Sequence, residues 1–114
     1  MKKPTYKEII DMSITFEGAK KASIWKWEWM CMATKKEIRS GEWPECGFCV
    51  FYKNKCNDCV LKHCFVYWGN KGWVNPLYEK IVQTWWKLRK GKVTIKQFRI
   101  VAKRMLKVIE GTKE

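Results

Sequence analysis

The clearest hydrophobic periodicity lies in the last forty residues. Leu77, Ile81, Trp85 and Leu88 recur at i, i+4, i+8 and i+11, which places them on one stripe of a helix. Asn75-Pro76 ahead of them supplies a cap and a first-turn proline, and Gly91 marks the stop. A second stripe, Phe98, Val101, Met105 and Val108, follows Thr94-Ile95-Lys96-Gln97, which has the form of a capping box with Val93 and Phe98 as its hydrophobic staple. This pattern predicts a helix–Gly–helix pair.

Nearer the N-terminus, Thr5-Tyr6-Lys7-Glu8 fits a capping box. The helix it opens has Tyr6, Ile9 and Ile10 at helical spacing and Gly18 as its expected end. Ser23 is a candidate cap for a second helix running to about Arg39, with Gly41 as the stop. Its interior reads two ways. Trp25, Trp27, Trp29 and Cys31 alternate like a strand, while Trp25, Trp29, Met32 and Lys36 share a helix face. The length of the segment, with no turn signal inside it, favours the helix.

From Glu42 to Trp73 the periodicity gives way to glycine, cysteine, asparagine and aromatic residues. The expected fold is mainly α: one small domain of about four helices around an irregular, cysteine-rich metal-binding knot. Residues 1–41 would supply the N-terminal helices, 42–74 the knot and 75–114 the basic helix pair. No internal repeat interrupts this plan.

The chain has 114 residues, 46% hydrophobic and 31% charged, which suits a single globular domain with a modest core. No apolar run reaches the length needed to span a bilayer, and Met1-Lys2-Lys3-Pro4-Thr5-Tyr6 has no apolar segment behind it to form a secretory signal. An intracellular, cytoplasmic protein without a membrane partner is expected, and its thiols should be reduced. Metal binding then becomes the preferred use of most of the six cysteines.

Cys46-Gly47-Phe48-Cys49 and Cys56-Asn57-Asp58-Cys59 are two C-x2-C units separated by six residues, and Cys64 follows after four more. A tight turn brings paired thiolates to one side, and four such sulfurs complete the tetrahedral shell of a single zinc ion. Cys46, Cys49, Cys56 and Cys59 are the candidate ligands. His63 is an alternate, since Cys56, Cys59 and His63 would share the face of a short helix, and Cys64 is another. A fifth cysteine also allows an iron–sulfur cluster, and disulfides or unrelated buried thiols are the structural alternatives. Cys31, inside a predicted helix, reads as a small buried apolar residue. No H-x-E arrangement accompanies the cysteines, so catalysis at the metal is not expected. The chain also lacks a nucleophile–base pair, a carboxylate cluster and a Gly-Lys-Ser/Thr phosphate loop, which argues against an enzyme.

The run from Cys46 through Cys49, Cys56 and Cys59-Val60-Leu61 to Cys64 resembles a group of small phage and prokaryotic mobile-element proteins. In that group a tryptophan-bearing helix precedes C-x-x-C, a short gap, C-x-x-C-P-L and a further cysteine, and a Tyr-centred helix follows, as Asn75-Pro76-Leu77-Tyr78 would here. Val60 replaces the usual proline, and the gap before Cys64 is short. The resemblance spans roughly Trp25 to Trp86. It implies a viral or mobile-element origin and a metal-type knot, but no activity.

Charge is the other outlying feature. Lys and Arg number 24 against 11 Asp and Glu, a net +13. No acidic residue occurs from Lys80 to Ile109. Lys87, Arg89, Lys90, Lys92, Lys96, Arg99, Lys103 and Lys107 are therefore candidate phosphate contacts for nucleic acid or a nucleoprotein complex, with Lys53, Lys55 and Lys62 extending the surface. Two basic helices joined at a glycine have the outline of a helix-turn-helix, although no base-reading side chains stand out. The plainer alternative is a lysine-rich solvated face. The eight tryptophans suit a core or interface, or base stacking beside a basic groove. Trp85 belongs on the apolar stripe and Trp86 points elsewhere, while Trp43, Trp68 and Trp73 flank the cysteines. The rival function is an inhibitor, for example of the anti-CRISPR type, that blocks a host defence or transcription complex by docking on an acidic surface. An iron–sulfur or redox protein is the second alternative.

Overall fold

The computed structural model describes residues 1–53, 55, 58–61 and 76–114. Among these the regular structure is entirely helical, with the elements α1 (Tyr6–Met12), α2 (Phe16–Met32), α3 (Lys35–Ser40), α4 (Gly47–Phe51), α5 (Pro76–Arg89) and α6 (Ile95–Glu110). The all-α class is as expected. Cys56, His63, Cys64, Lys62, Trp68, Trp73 and Asn75 lie outside the described residues.

Three helices open on reciprocal capping boxes, Thr5 with Glu8, Thr34 with Glu37 and Thr94 with Gln97. In each, the threonine hydroxyl accepts the N3 backbone N–H, and the N3 side chain accepts the threonine N–H. The first and third were expected. The second lies inside the segment read as one long helix, which breaks at Ala33 and restarts after Thr34.

Two other boundaries differ from expectation for a related reason. Gly18 does not end α1. Instead its N–H is taken by the Thr15 hydroxyl at 3.1 Å, making Thr15 the cap of α2. Ser23 is no cap but a fully buried mid-helix residue whose hydroxyl donates to the Ala19 carbonyl at 2.9 Å. Gly41 does close α3, in the left-handed conformation at φ 75°. The segment after Glu42, expected to be irregular, contains the short helix α4.

α2 is the hub, packing against α1, α4 and α6. A helix with neighbours on several sides needs apolar residues on several faces, and the strand-like alternation of tryptophans is its trace in the sequence. Trp27 and Trp29 are buried, Met32 is exposed, and half-buried Trp25 donates its indole N–H to the Lys2 carbonyl at 2.9 Å. Phe16 of α2 meets Phe48 and Phe51 of α4 at centroid distances of 5.4 and 6.2 Å.

α5 and α6 pack together as predicted, with Ile81, Leu88, Phe98, Val101 and Met105 in the core. One position is corrected: Val108 is 44% exposed and Ile109 is buried in its place, because the helix turns 100° per residue and the core face drifts past position 108. The link between them is a Schellman motif. Lys92 N–H reaches the Lys87 carbonyl at 2.8 Å and Gly91 N–H the Leu88 carbonyl at 3.1 Å, with Gly91 at φ 71°.

Candidate thiol site and basic surfaces

Cys46 is the N-cap residue of α4, and Cys49 lies in that helix, so the C-x2-C spacing brings the two sulfurs together across the helix start. Hydrogen bonding from the Cys49 side chain is the main cause that lowers the Cys46 thiol to about 5. The positive charge of Lys26, the Ser23 hydroxyl and the Cys49 backbone N–H act in the same direction, against the opposing effect of burial. Ser23 Oγ lies 3.4 Å from Cys46 Sγ and accepts the Phe48 N–H at 3.2 Å, tying α2 to the thiol. Gly47 between them has no room for a side chain. A Cβ there would press into the Ala19 carbonyl and come within 2.8 Å of Ala22 Cβ.

A cavity of about 120 Å³ adjoins the pair, lined by Lys26, Trp27, Glu45, Cys46, Cys49, Leu61, Tyr78 and Met105. Trp27, in edge contact with Tyr78 at 6.5 Å, is 1% exposed, and its indole N–H has no partner among the described residues. Cys59 is buried in the same apolar cluster. Among the described residues, no group of three or more His, Cys, Asp or Glu side chains is gathered as for a metal ion. Cys46 and Cys49 are thus brought together, while three of the other candidates, Cys56, His63 and Cys64, lie outside the described residues. Cys31 is half-buried on α2, and burial pushes its thiol upward. Trp43 packs against Trp85 at 5.8 Å and Phe98 at 5.9 Å.

The predicted phosphate contacts divide. Lys96, Lys103 and Lys107 are exposed on one side of α6, opposite Phe98, Met105 and Ile109. Lys87, Lys90 and Lys92 are exposed at the α5–α6 junction, and Lys53 and Lys55 after α4. Arg99 is engaged within the fold. Its guanidinium donates to the Ala33 carbonyl at 2.9 Å and the Met32 carbonyl at 3.4 Å, closing the C-terminal end of α2. Arg89 stacks on Trp85 and Trp86, at 4.9 and 5.3 Å from the ring centroids. Among the described residues, Lys2–Glu8 is the sole salt bridge, so none of these cations is neutralised by a carboxylate.

Sequence reading missed Lys35, Lys36 and Arg39, which join Arg89 around a recess between α3 and α5. The T-x-x-E at Thr34–Glu37 was the available signal, since it places these residues on a separate short helix.

Among the described residues the fold is all-α, the Cys46 thiol is lowered to about 5 beside Cys49, the basic surfaces have no carboxylate partners, and no helix is long and apolar enough to cross a membrane. No protein family, curated protein or solved structure matches the chain.

Proposed function

We propose that this is a metal-stabilised accessory protein, of viral or mobile-element origin, that binds nucleic acid or a nucleoprotein through its basic helices. One observation carries the reading: the outer side of α6 presents Lys96, Lys103 and Lys107 exposed and without a carboxylate partner among the described residues. Such a row neutralises phosphates without reading sequence. Binding of a labelled oligonucleotide by the wild type and by Lys96→Glu/Lys103→Glu/Lys107→Glu tests it. The folded triple variant should lose most of its affinity, and undiminished binding would refute the surface. Arg99 stays unchanged in this variant because of its contacts with α2.

Cys46 and Cys49 would hold the metal, zinc in preference to iron–sulfur, with two further donors drawn from Cys56, Cys59, His63 and Cys64. The donor chemistry fits: a thiol held near 5 is already the anion a metal requires, and the Ser23 hydroxyl supports its sulfur. Bound zinc would cross-link the cysteine segment. Elemental analysis of natively purified protein should give about one zinc per chain with no visible colour, and a brown protein containing iron and sulfide would replace zinc by a cluster.

A second reading, the inhibitor of a host protein, is favoured by the exposure of Tyr6, Ile10 and Ile14 along and just after α1. A protein inhibitor would leave free oligonucleotides unbound and require its protein target.

A further inference from the structure

Between α3 and the end of α5 lies an open recess of about 550 Å³ lined by Lys35, Lys36, Arg39, Ser40 and Arg89. Four of these five residues are cations, and none forms an ion pair among the described residues. Glu37, the acid on the same helix, is taken up by its capping box with Thr34. Arg39 donates to the Arg89 backbone carbonyl at 3.2 Å, tying α3 to the end of α5.

Helix energetics accounts for only part of this charge. Arg39 and Arg89 sit in the last turns of α3 and α5, where cations favour the helix dipole. Lys35 and Lys36 sit in the first turn of α3, where the dipole opposes them. Their positive charge is placed against local stability.

Arg89 joins the recess to an aromatic platform. Its guanidinium covers Trp85 and Trp86, whose centroids are 5.3 Å apart. Trp85 is anchored by its indole N–H on the Ile38 carbonyl at 2.8 Å, whereas Trp86 remains 50% exposed. Guanidinium groups match phosphate oxygens, and indole and guanidinium planes both accept the face of a base. A duplex keeps its base faces covered by stacking, and an acidic peptide brings carboxylates but no base. The ligand that satisfies both halves is a single strand with an unpaired base.

We propose that the α3–α5 recess is a single-strand nucleic-acid site, in which Lys35, Lys36, Arg39 and Arg89 take successive phosphates and an unpaired base stacks on Trp86 and Arg89. This rests on the nucleic-acid reading above and adds the strand state to it. The test compares oligo(dT) of about twelve nucleotides with the matching dA·dT duplex, using the whole protein with its native metal content. Wild type should favour the single strand. Trp86→Ala should weaken single-strand binding about ten-fold and leave duplex binding unchanged, Trp86→Phe should restore most of the loss, and Arg39→Gln should also weaken the single strand. Equal effects of Trp86→Ala on both ligands, or none on either, would overturn the recess and leave the α6 surface standing. Failure of the wild type to bind either oligonucleotide at low salt would overturn both. Poly-glutamate binding as tightly as oligo(dT) would show charge recognition alone and also overturn the stacking site.

Discussion

At the residue scale, Cys46 links the site to stability. Its folded value of about 5 lies below the ordinary thiol value of 9.0, so its ionised form favours the folded state. In metal-free protein that contribution is complete above pH 9, declines as the pH falls, and is gone below about pH 5. Denaturant midpoints of wild type and Cys46→Ala should therefore separate progressively from pH 5 to 9. A difference independent of pH would show that Cys46 is protonated in the folded protein. Arg99 carries a second prediction. Its bonds to the Met32 and Ala33 carbonyls satisfy the end of α2 with a positive charge suited to the dipole. Arg99→Ala should cost about 1–2 kcal/mol, seen as a melting temperature lower by roughly 4–16 °C. An unchanged melting temperature would return Arg99 to the group of free phosphate contacts.

At the scale of elements, the contact between α2 and α4 is set by Gly47. The missing side chain lets the start of α4 lie on Ala19 and Ala22, and that approach puts Cys46 beside Ser23. Gly47→Ala should destabilise by about 2–3 kcal/mol through overpacking and raise the Cys46 thiol value as the Ser23 contact opens. Thiol alkylation across pH, alongside denaturation, would register both, and a stable variant with unaltered alkylation would show that α4 accommodates the methyl group. The sequence reveals elements unevenly, and α2 explains why. α5 and α6 each have one clear core face, so their periodicity, the Gly91 stop of α5 and the Thr94 capping box of α6 were legible. α2 has neighbours on several sides, which erased any single stripe, and both Ser23 and Gly18 resembled boundaries while serving as interior and first-turn residues. Arg99 looked like one more surface cation because nothing local indicates that it reaches carbonyls 66 and 67 residues earlier. The recess was hidden for the same reason, since Arg39 and Arg89 meet only through the packing of α3 on α5.

At the scale of the whole molecule, a net charge of +13 accompanies one salt bridge among the described residues. Cations without local partners repel one another in the folded state, and unfolding relieves part of that repulsion by moving them apart. The same charges attract a polyanion, and counterion release makes that attraction weaken steeply with salt. Raising sodium chloride from about 0.01 to 0.15 M shortens the screening length from roughly 30 to 8 Å. Folding and binding should therefore respond in opposite directions, with the melting temperature of the free protein rising while oligonucleotide affinity falls. The lysines of α6 contribute to both, so the Lys96→Glu/Lys103→Glu/Lys107→Glu variant should show a smaller salt-induced rise in melting temperature and a binding slope reduced by about 2–3. Paired melting and binding titrations over this range decide the matter. A melting temperature that is flat or falls with salt would mean that the cations are already neutralised within the fold, and the basic side of α6 would then lose its claim as the phosphate-binding surface.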